Sequence, residues 1–89
     1  MMRIYRIASM ERIDIINKIT PIFRTVLKND SIVLAEEMSS SDFENWDSLS
    51  QMLLASEIEK LFSIKFKIRE VSSFKTVGDL VSIVESKLI

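Results

Sequence analysis

Residues 46–66 read WDSLSQMLLASEIEKLFSIKF. The apolar residues of this stretch recur at helical spacing, which predicts an amphipathic helix that begins at Asp47 or Ser48. Both residue types are preferred at a helix N-cap, because the side-chain oxygen accepts a bond from a free N–H group of the first turn. The stripe that we expect this helix to bury consists of Leu49, Met52, Leu54, Ile58, Leu61 and Phe62.

A first helix is predicted on the amino-terminal side of this stretch. Ser9 is its expected N-cap, and the apolar residues that follow recur at helical spacing until about Lys28. Pro21 lies inside the pattern. Proline has no N–H group to bond the carbonyl four residues back, and its ring crowds that turn, so we expect the helix to kink or split near residues 19–20.

The carboxy-terminal part is predicted to hold a short helix and a longer one. Residues 63–68, SIKFKI, alternate between apolar and polar side chains, but no partner strand is evident, so we expect an extended linker. A short helix is predicted at residues 69–73. Thr76 then has the properties of an N-cap, with Asp79 placed as in a capping box, and apolar spacing continues to Leu88.

These segments predict an all-α fold, a small antiparallel bundle of three longer helices and one short helix. A long loop, residues 29–47, separates the first two helices; its apolar side chains are expected to hold it on the core, with a short turn at residues 41–43. One glycine and one proline leave little turn chemistry for a β-sandwich or barrel. We expect residues 1–8 to be a mobile extension and residues 9–89 to be a single domain.

The composition excludes several kinds of site. The chain has no histidine, so Ser48 cannot belong to a Ser-His-Asp triad, and the commonest metal ligand is missing. Because there is no cysteine, thiolate metal sites are excluded as well, and no metal site is predicted. No apolar run approaches the roughly 20 residues of a membrane span, and the start lacks a secretory signal. We therefore expect a cytoplasmic protein that does not act at a membrane.

The net charge of −1 conceals an uneven distribution. Residues 1–28 contain six basic and two acidic residues, residues 29–59 contain eight acidic and no basic residues, and residues 60–89 contain six basic and three acidic ones. A run of one sign is ordinarily a solvated face. Here the acidic run surrounds Ser48, so we favour a docking surface for a basic partner.

The stretch already quoted, followed by FKTVGDLVSIV at residues 74–84, resembles the acyl carrier protein family. The likeness extends over nearly the whole chain, in motif and in helix order. It implies that Ser48, preceded by Asp47, is the attachment site of a covalent 4′-phosphopantetheine arm. It also implies that Leu49 contacts partner enzymes beside that arm.

By this resemblance the chain is a carrier without catalytic activity of its own. It would carry acyl groups as thioesters in fatty acid, polyketide or related specialised biosynthesis, as a monomer. Its partners would be a phosphopantetheinyl transferase, an acyl-loading ligase or transferase, and synthase enzymes. The residues that we expect to recognise them are Leu49, Met52, Leu53, Glu57 and Glu59.

The sequence departs from the family pattern at two places, and two alternative functions remain open. Leu53 stands where the family usually has a glutamate, and the third helix carries Arg69 where the family is usually acidic. A carrier of aminoacyl or peptidyl groups, including the D-alanyl carriers, is one alternative, and an unmodified helical adaptor is the other. Nucleic acid is not an expected partner, because the second helix has no base before Lys60.

Overall fold

The computed structural model describes residues 10–88, and these form four α-helices and one 3₁₀ turn. The bounds are α1 Arg12–Val26, the 3₁₀ turn Ser40–Asp42, α2 Ser48–Phe62, α3 Ile68–Ser73 and α4 Val77–Lys87. The predicted all-α fold, with one short helix and a long loop before α2, is confirmed. The predicted mobile extension at residues 1–8 lies outside the described residues. None of the helices in the described range has the length and apolar character needed to cross a lipid bilayer.

The core lies where α1, α2 and α4 meet. Each of these helices buries apolar residues that recur every three or four positions, which is the stripe that faces one side of a helix. Burying each such side chain contributes on the order of 1.5–3 kcal/mol. The fully buried residues of the three helices are Ile15, Ile19, Phe23, Leu54, Ile58, Val77, Leu80, Val81 and Val84.

Helix α1 is continuous with Pro21 inside it, so the predicted split is wrong, while the alternative, a kink near residues 19–20, stays a prediction. Pro21 and Asn17, whose carbonyl loses its helical partner, both lie on the exposed side of α1, where water can replace the missing bond. Two buried residues on the opposite side, Ile19 and Phe23, hold the helix on the core across the proline. The helix begins with Glu11 as N-cap and without a side-chain cap, whereas Ser9, the predicted cap, lies outside the described residues.

The predicted apolar stripe of α2 is partly wrong. Leu49 and Met52 are 68% and 63% exposed, and Leu61 is also exposed. An α-helix turns by about 100° per residue, which puts Leu49 and Met52 about 140–160° away from the buried Leu54. Because α2 turns Leu54 and Ile58 into the core, Leu49 and Met52 on a different side of the helix are left exposed.

The long loop is ordered by a charged clamp as well as by apolar contacts. The Arg12 guanidinium donates to both carboxylate oxygens of Glu36 at 2.9 and 2.7 Å, and to the carboxylate of Glu85 at 2.9 Å. It also donates to the carbonyl of Gly78 at 3.0 Å. The clamp therefore joins the loop to the first and last helices, which fixes the loop before it reaches α2.

Candidate functional site

Ser48 is the first residue of α2, and its side chain is exposed. Asp47 is the N-cap: its carboxylate accepts from the Ser50 N–H group at 2.9 Å. In return, the Ser50 hydroxyl accepts from the Asp47 N–H group at 2.8 Å. The prediction that α2 begins at this point is confirmed, with Asp47 as the cap. The Ser48 N–H group lies outside this reciprocal pair and before the first helical bond, that of the Gln51 N–H group to the Asp47 carbonyl, whereas the Leu49 N–H group also acts on the Asp47 carboxylate.

The capping bonds also set the protonation state beside Ser48. Donation by the Ser50 N–H group holds the pKa of the Asp47 carboxyl below its usual range. Asp47 is therefore ionised at neutral pH and engaged as an acceptor. A carboxylate with a lowered pKa is a poor base, so Asp47 is unsuited to removing the proton of the neighbouring hydroxyl.

A groove of about 850 Å³ opens beside Ser48, between α2 and α3. Apolar side chains supply much of its lining, together with polar residues at the rim that include Ser39, Ser40 and Lys75. The apolar lining consists of Trp46, Met52, Ala55, Ile68, Val71 and Phe74. Apolar walls with a few polar groups at the mouth are typical of sites that hold small organic groups.

Gln51 holds the two walls of the groove together. Its amide oxygen accepts from the Trp46 indole N–H at 2.9 Å, while its amide nitrogen donates to the carbonyls of Val71 and Phe74. Val71 lies in α3 and Phe74 directly follows the last residue of that helix, so one α2 side chain connects a buried tryptophan to the opposite wall. The sequence interpretation missed both Gln51 and Ser50. Ser50 follows Asp47 at the third position of a capping box, which is a usable signal, but no local pattern indicates that Gln51 reaches α3.

The five predicted recognition residues fall into two groups. Leu49, Met52 and Leu53 are all exposed on the first half of α2, close to Ser48 in the chain, and Met52 also lines the groove. Glu57 is exposed and pairs with Lys60 at 3.3 Å. Glu59, in contrast, is already used within the fold, since its carboxylate accepts from the Phe66 N–H group at 2.7 Å.

The chemistry of this site fits a phosphopantetheine arm. The arm needs an accessible hydroxyl for a phosphodiester bond, and Ser48 offers one. The phosphodiester is an anion, which the unpaired N–H groups and the dipole of a helix N-terminus favour. The adjoining groove, with its apolar walls, offers a place for an organic group attached at this position.

Comparison with known proteins agrees with this interpretation of the site. Residues 17–84 match the family described as "phosphopantetheine attachment site". The acyl carrier protein of Coprothermobacter proteolyticus is 36% identical over 75 residues, which cover 80% of this chain and 92% of that protein. The solution structure of the holo acyl carrier protein from Geobacter metallireducens superposes with a TM-score of 0.75 at 46% identity, over 82% of this chain and 84% of that one.

The family match over residues 17–84, together with the four-helix fold, puts the chain in the class of proteins that carry a phosphopantetheine arm. Within that class, the chain belongs to the acyl carrier protein family. Its prosthetic group is accordingly 4′-phosphopantetheine. The resemblance noted from the sequence is confirmed, and the unmodified helical adaptor is set aside.

Proposed function

We propose that Ser48 is the attachment site of the arm, and that residues 9–89 act as one carrier domain that presents acyl groups, as thioesters on that arm, to partner enzymes. One observation carries the proposal: the Ser48 hydroxyl is exposed at the first position of α2 and at the mouth of the groove. Of the other two serines of α2, Ser50 is buried and is occupied by the capping bonds. Ser56 is exposed within α2, but it lacks the unpaired N–H groups of a helix N-terminus.

Attachment requires a separate enzyme. A phosphopantetheinyl transferase would bring coenzyme A, a bond would form between the Ser48 oxygen and the phosphorus of the pantetheine phosphate, and the bond from that phosphorus to the adenosine bisphosphate would break. The hydroxyl proton must leave during this step, and the transferase supplies the base, because Asp47 is held as an ionised cap. On this proposal the chain has no catalytic activity of its own and works in the cytoplasm, as a monomer.

The groove would shelter the acyl group between enzymes. An acyl group at the end of an arm attached to Ser48 would meet Met52 and Ala55 on one wall of the groove and Val71 on the other. Removing apolar area from water favours this placement by roughly 25 cal/mol per Å². We propose cargo from fatty acid, polyketide or related specialised biosynthesis, and loading by a dedicated ligase or transferase followed by use in synthase enzymes.

The proposal is tested by intact-mass measurement after incubation with coenzyme A and a broad-specificity phosphopantetheinyl transferase. We expect one adduct per chain in the wild type and in Ser56→Ala, the matched control on the same helix. Ser48→Ala should gain no adduct while keeping its helical circular dichroism, because the cap is made by Asp47. An adduct that persists in folded Ser48→Ala would overturn the assignment.

Partner recognition is proposed to combine an apolar and an acidic contribution. Leu49, Met52 and Leu53 form the exposed apolar part, and Glu57 is the accessible acid at its far end. Glu59 would contribute to recognition only through its negative charge, because its carboxylate already accepts from the Phe66 N–H group. Its reversal would therefore disturb the fold, so Glu57 alone is suited to a charge test.

Two substitutions separate these contributions in transferase or synthase kinetics. Glu57→Lys should lower the association rate about three- to tenfold at low salt and lose most of that effect at high salt, because the Debye length shortens. Glu37→Lys, which reverses another exposed acid in the loop, is the control and should change the rate less. Leu53→Glu should reduce association with a penalty that depends little on salt. If neither Glu57→Lys nor Leu53→Glu alters kinetics in variants with normal melting, the α2 face is not the recognition surface.

A further inference from the structure

A second surface, distinct from the exposed face of α2, combines positive charge with an exposed apolar side chain. It consists of residues 65–69, which we call the α3 tip. Lys65, Lys67 and Arg69 are all exposed there. Between them, Ile68 is 90% exposed, more than any other large apolar side chain reported as exposed among the described residues.

The charge of the α3 tip is not neutralised by its own helix. Glu70 is the acid of α3, but its carboxylate accepts from the Lys67 N–H group at 2.7 Å and pairs with the Lys87 ammonium at 3.0 Å. That pair is partly buried and holds α3 to the end of α4. Among residues 10–88, the ion pairs involve Arg12, Lys60 and Lys87 as cations, so none of the three cations of the tip is in one, although the Lys67 charge lies near enough to Glu70 to help lower the pKa of that carboxyl.

The position of the tip links it to the carrier site. Ile68 lines the α2–α3 groove from the outside, on the same wall as Val71 and Ser72. A molecule seated on Ile68 would therefore cover the rim of the groove. One α2 carboxylate, that of Glu59, reaches the tip and accepts from the Phe66 N–H group, whereas Glu57, the exposed acid of α2, is the contact proposed for basic partners.

We propose that the α3 tip is a docking surface for a protein partner that presents carboxylates around an apolar depression. The depression would take Ile68, and the carboxylates would meet Lys65, Lys67 and Arg69. An exposed apolar anchor ringed by charge is the arrangement in which burial supplies affinity and the charges supply selectivity and association rate. This inference goes beyond the carrier function, and it holds whether or not Ser48 is the attachment site.

The observations favour a protein over a membrane or a second copy. Helix α3 has six residues, and a helix that lies in a membrane surface needs a much larger apolar face than Ile68 provides. A second copy would have to offer its own acidic region, which surrounds Ser48, so that docking of the α3 tip there would cover the site of the arm. An acidic protein partner would match the charge of the α3 tip, and it would need neither a larger apolar face nor contact with the site of the arm.

The test uses the isotope-labelled full chain, with and without the arm, and two amphipathic helical peptides. The peptides share one leucine face and differ only in carrying glutamates or lysines on the other. We expect the glutamate peptide to shift the amide resonances of residues 64–72 saturably and in both forms of the chain. The lysine peptide should instead shift the amide resonances of α2. Raising the salt concentration should weaken binding of the glutamate peptide.

Matched variants identify the contacts. Arg69→Glu should weaken binding of the glutamate peptide about three- to tenfold, whereas Lys18→Glu on α1 should leave it unchanged. Ile68→Ser should weaken it by a similar factor, whereas Val33→Ser, which alters a valine 72% exposed in the loop, should not. All four positions are exposed, so each variant is expected to fold.

Three results would overturn the proposal. The first is a glutamate peptide that shifts α2 or no residue at all. The second is binding of the chain to vesicles of phosphatidylcholine and phosphatidylglycerol that is lost in Arg69→Glu, together with no binding of the glutamate peptide. The third is a concentration-dependent shift of the same amides in the chain alone, which would identify a second copy as the occupant.

Discussion

Replacing Gln51 by methionine should loosen α3 more than any other part of the chain. Methionine has nearly the same length and shape, but it can neither donate nor accept the bonds that Gln51 makes. The change therefore removes the bond from the Trp46 indole and the bonds to the carbonyls of Val71 and Phe74 while largely keeping the packing. It tests whether a polar connection fixes the wall of the groove.

The expected cost follows from which groups lose their partners. Trp46 is 5% exposed, so its indole N–H would be left buried without an acceptor, at a cost of about 1–3 kcal/mol. Val71 is only partly buried, and water can reach the end of α3, so the carbonyls there should lose less. A total near 2 kcal/mol would lower the melting temperature of a chain this size by roughly 8–16 °C. If α3 opens by itself, the same energy corresponds to amide exchange about 30-fold faster in α3.

Thermal melts and amide exchange followed residue by residue measure these two effects. Exchange at residues 68–73 should accelerate more than exchange in α1, because α3 has no fully buried residue of its own. Ser56→Ala is the control on the exposed side of α2. Adding Trp46→Phe to Gln51→Met removes the stranded indole donor, so the two changes should cost less together than the sum of each alone. Unchanged melting and unchanged α3 exchange in Gln51→Met would refute the reasoning.

Three further outcomes follow from the structure. Gly78→Ala should destabilise the fold by about 1–3 kcal/mol in denaturant melts, although alanine has the higher helix propensity. The reason is that the new Cβ would lie 3.1 Å from the carbonyl oxygen of Glu36, which accepts from the Gly78 N–H group. Ser63→Gly should stabilise it by about 0.5–1 kcal/mol, because residue 63 ends α2 with a φ of 56°, which glycine adopts without strain. Acid should destabilise the fold. Hydrogen bonds from N–H groups, chiefly those of Ser50 and Lys75, lower the pKa of Asp47 and Asp79. The stability that these bonds contribute is fully present above the ordinary aspartate pKa of 3.8 and is lost as the pH falls below it, which fluorescence melts across that range would show.

The starts of α2 and α4 were predictable because their signals are local. Asp47 caps α2, and Thr76 caps α4 with Asp79 returning the bond, as the order of these residues in the chain predicts. Their bonds span three residues and depend on nothing distant. The likeness to a known family then predicted the role of Ser48, which composition alone left undefined.

The features that were missed depend on neighbours far away in the sequence. Pro21 does not split α1, because Ile19 and Phe23 are held by the rest of the core. Leu49 and Met52 look like core residues in a one-dimensional pattern, but only the placement of α1 decides which side of α2 is covered. The bond of Gln51 to α3 spans 20 residues and has no pattern in the chain.

The three long helices and α3 are held by different kinds of force, and this difference bears on how a carrier can both protect and release its cargo. Helices α1, α2 and α4 share fully buried side chains, so separating them exposes apolar area at large cost. Helix α3 is held mainly by polar contacts, through Gln51 and the Glu70–Lys87 pair, with Phe74 as the buried anchor at its end. Polar contacts exchange for water at a small net cost, so we expect α3, one wall of the groove, to move more readily than the other helices while the bundle stays folded. The cationic residues of the α3 tip lie on this movable wall, where a docked partner could act on the groove without disturbing the helix that bears Ser48.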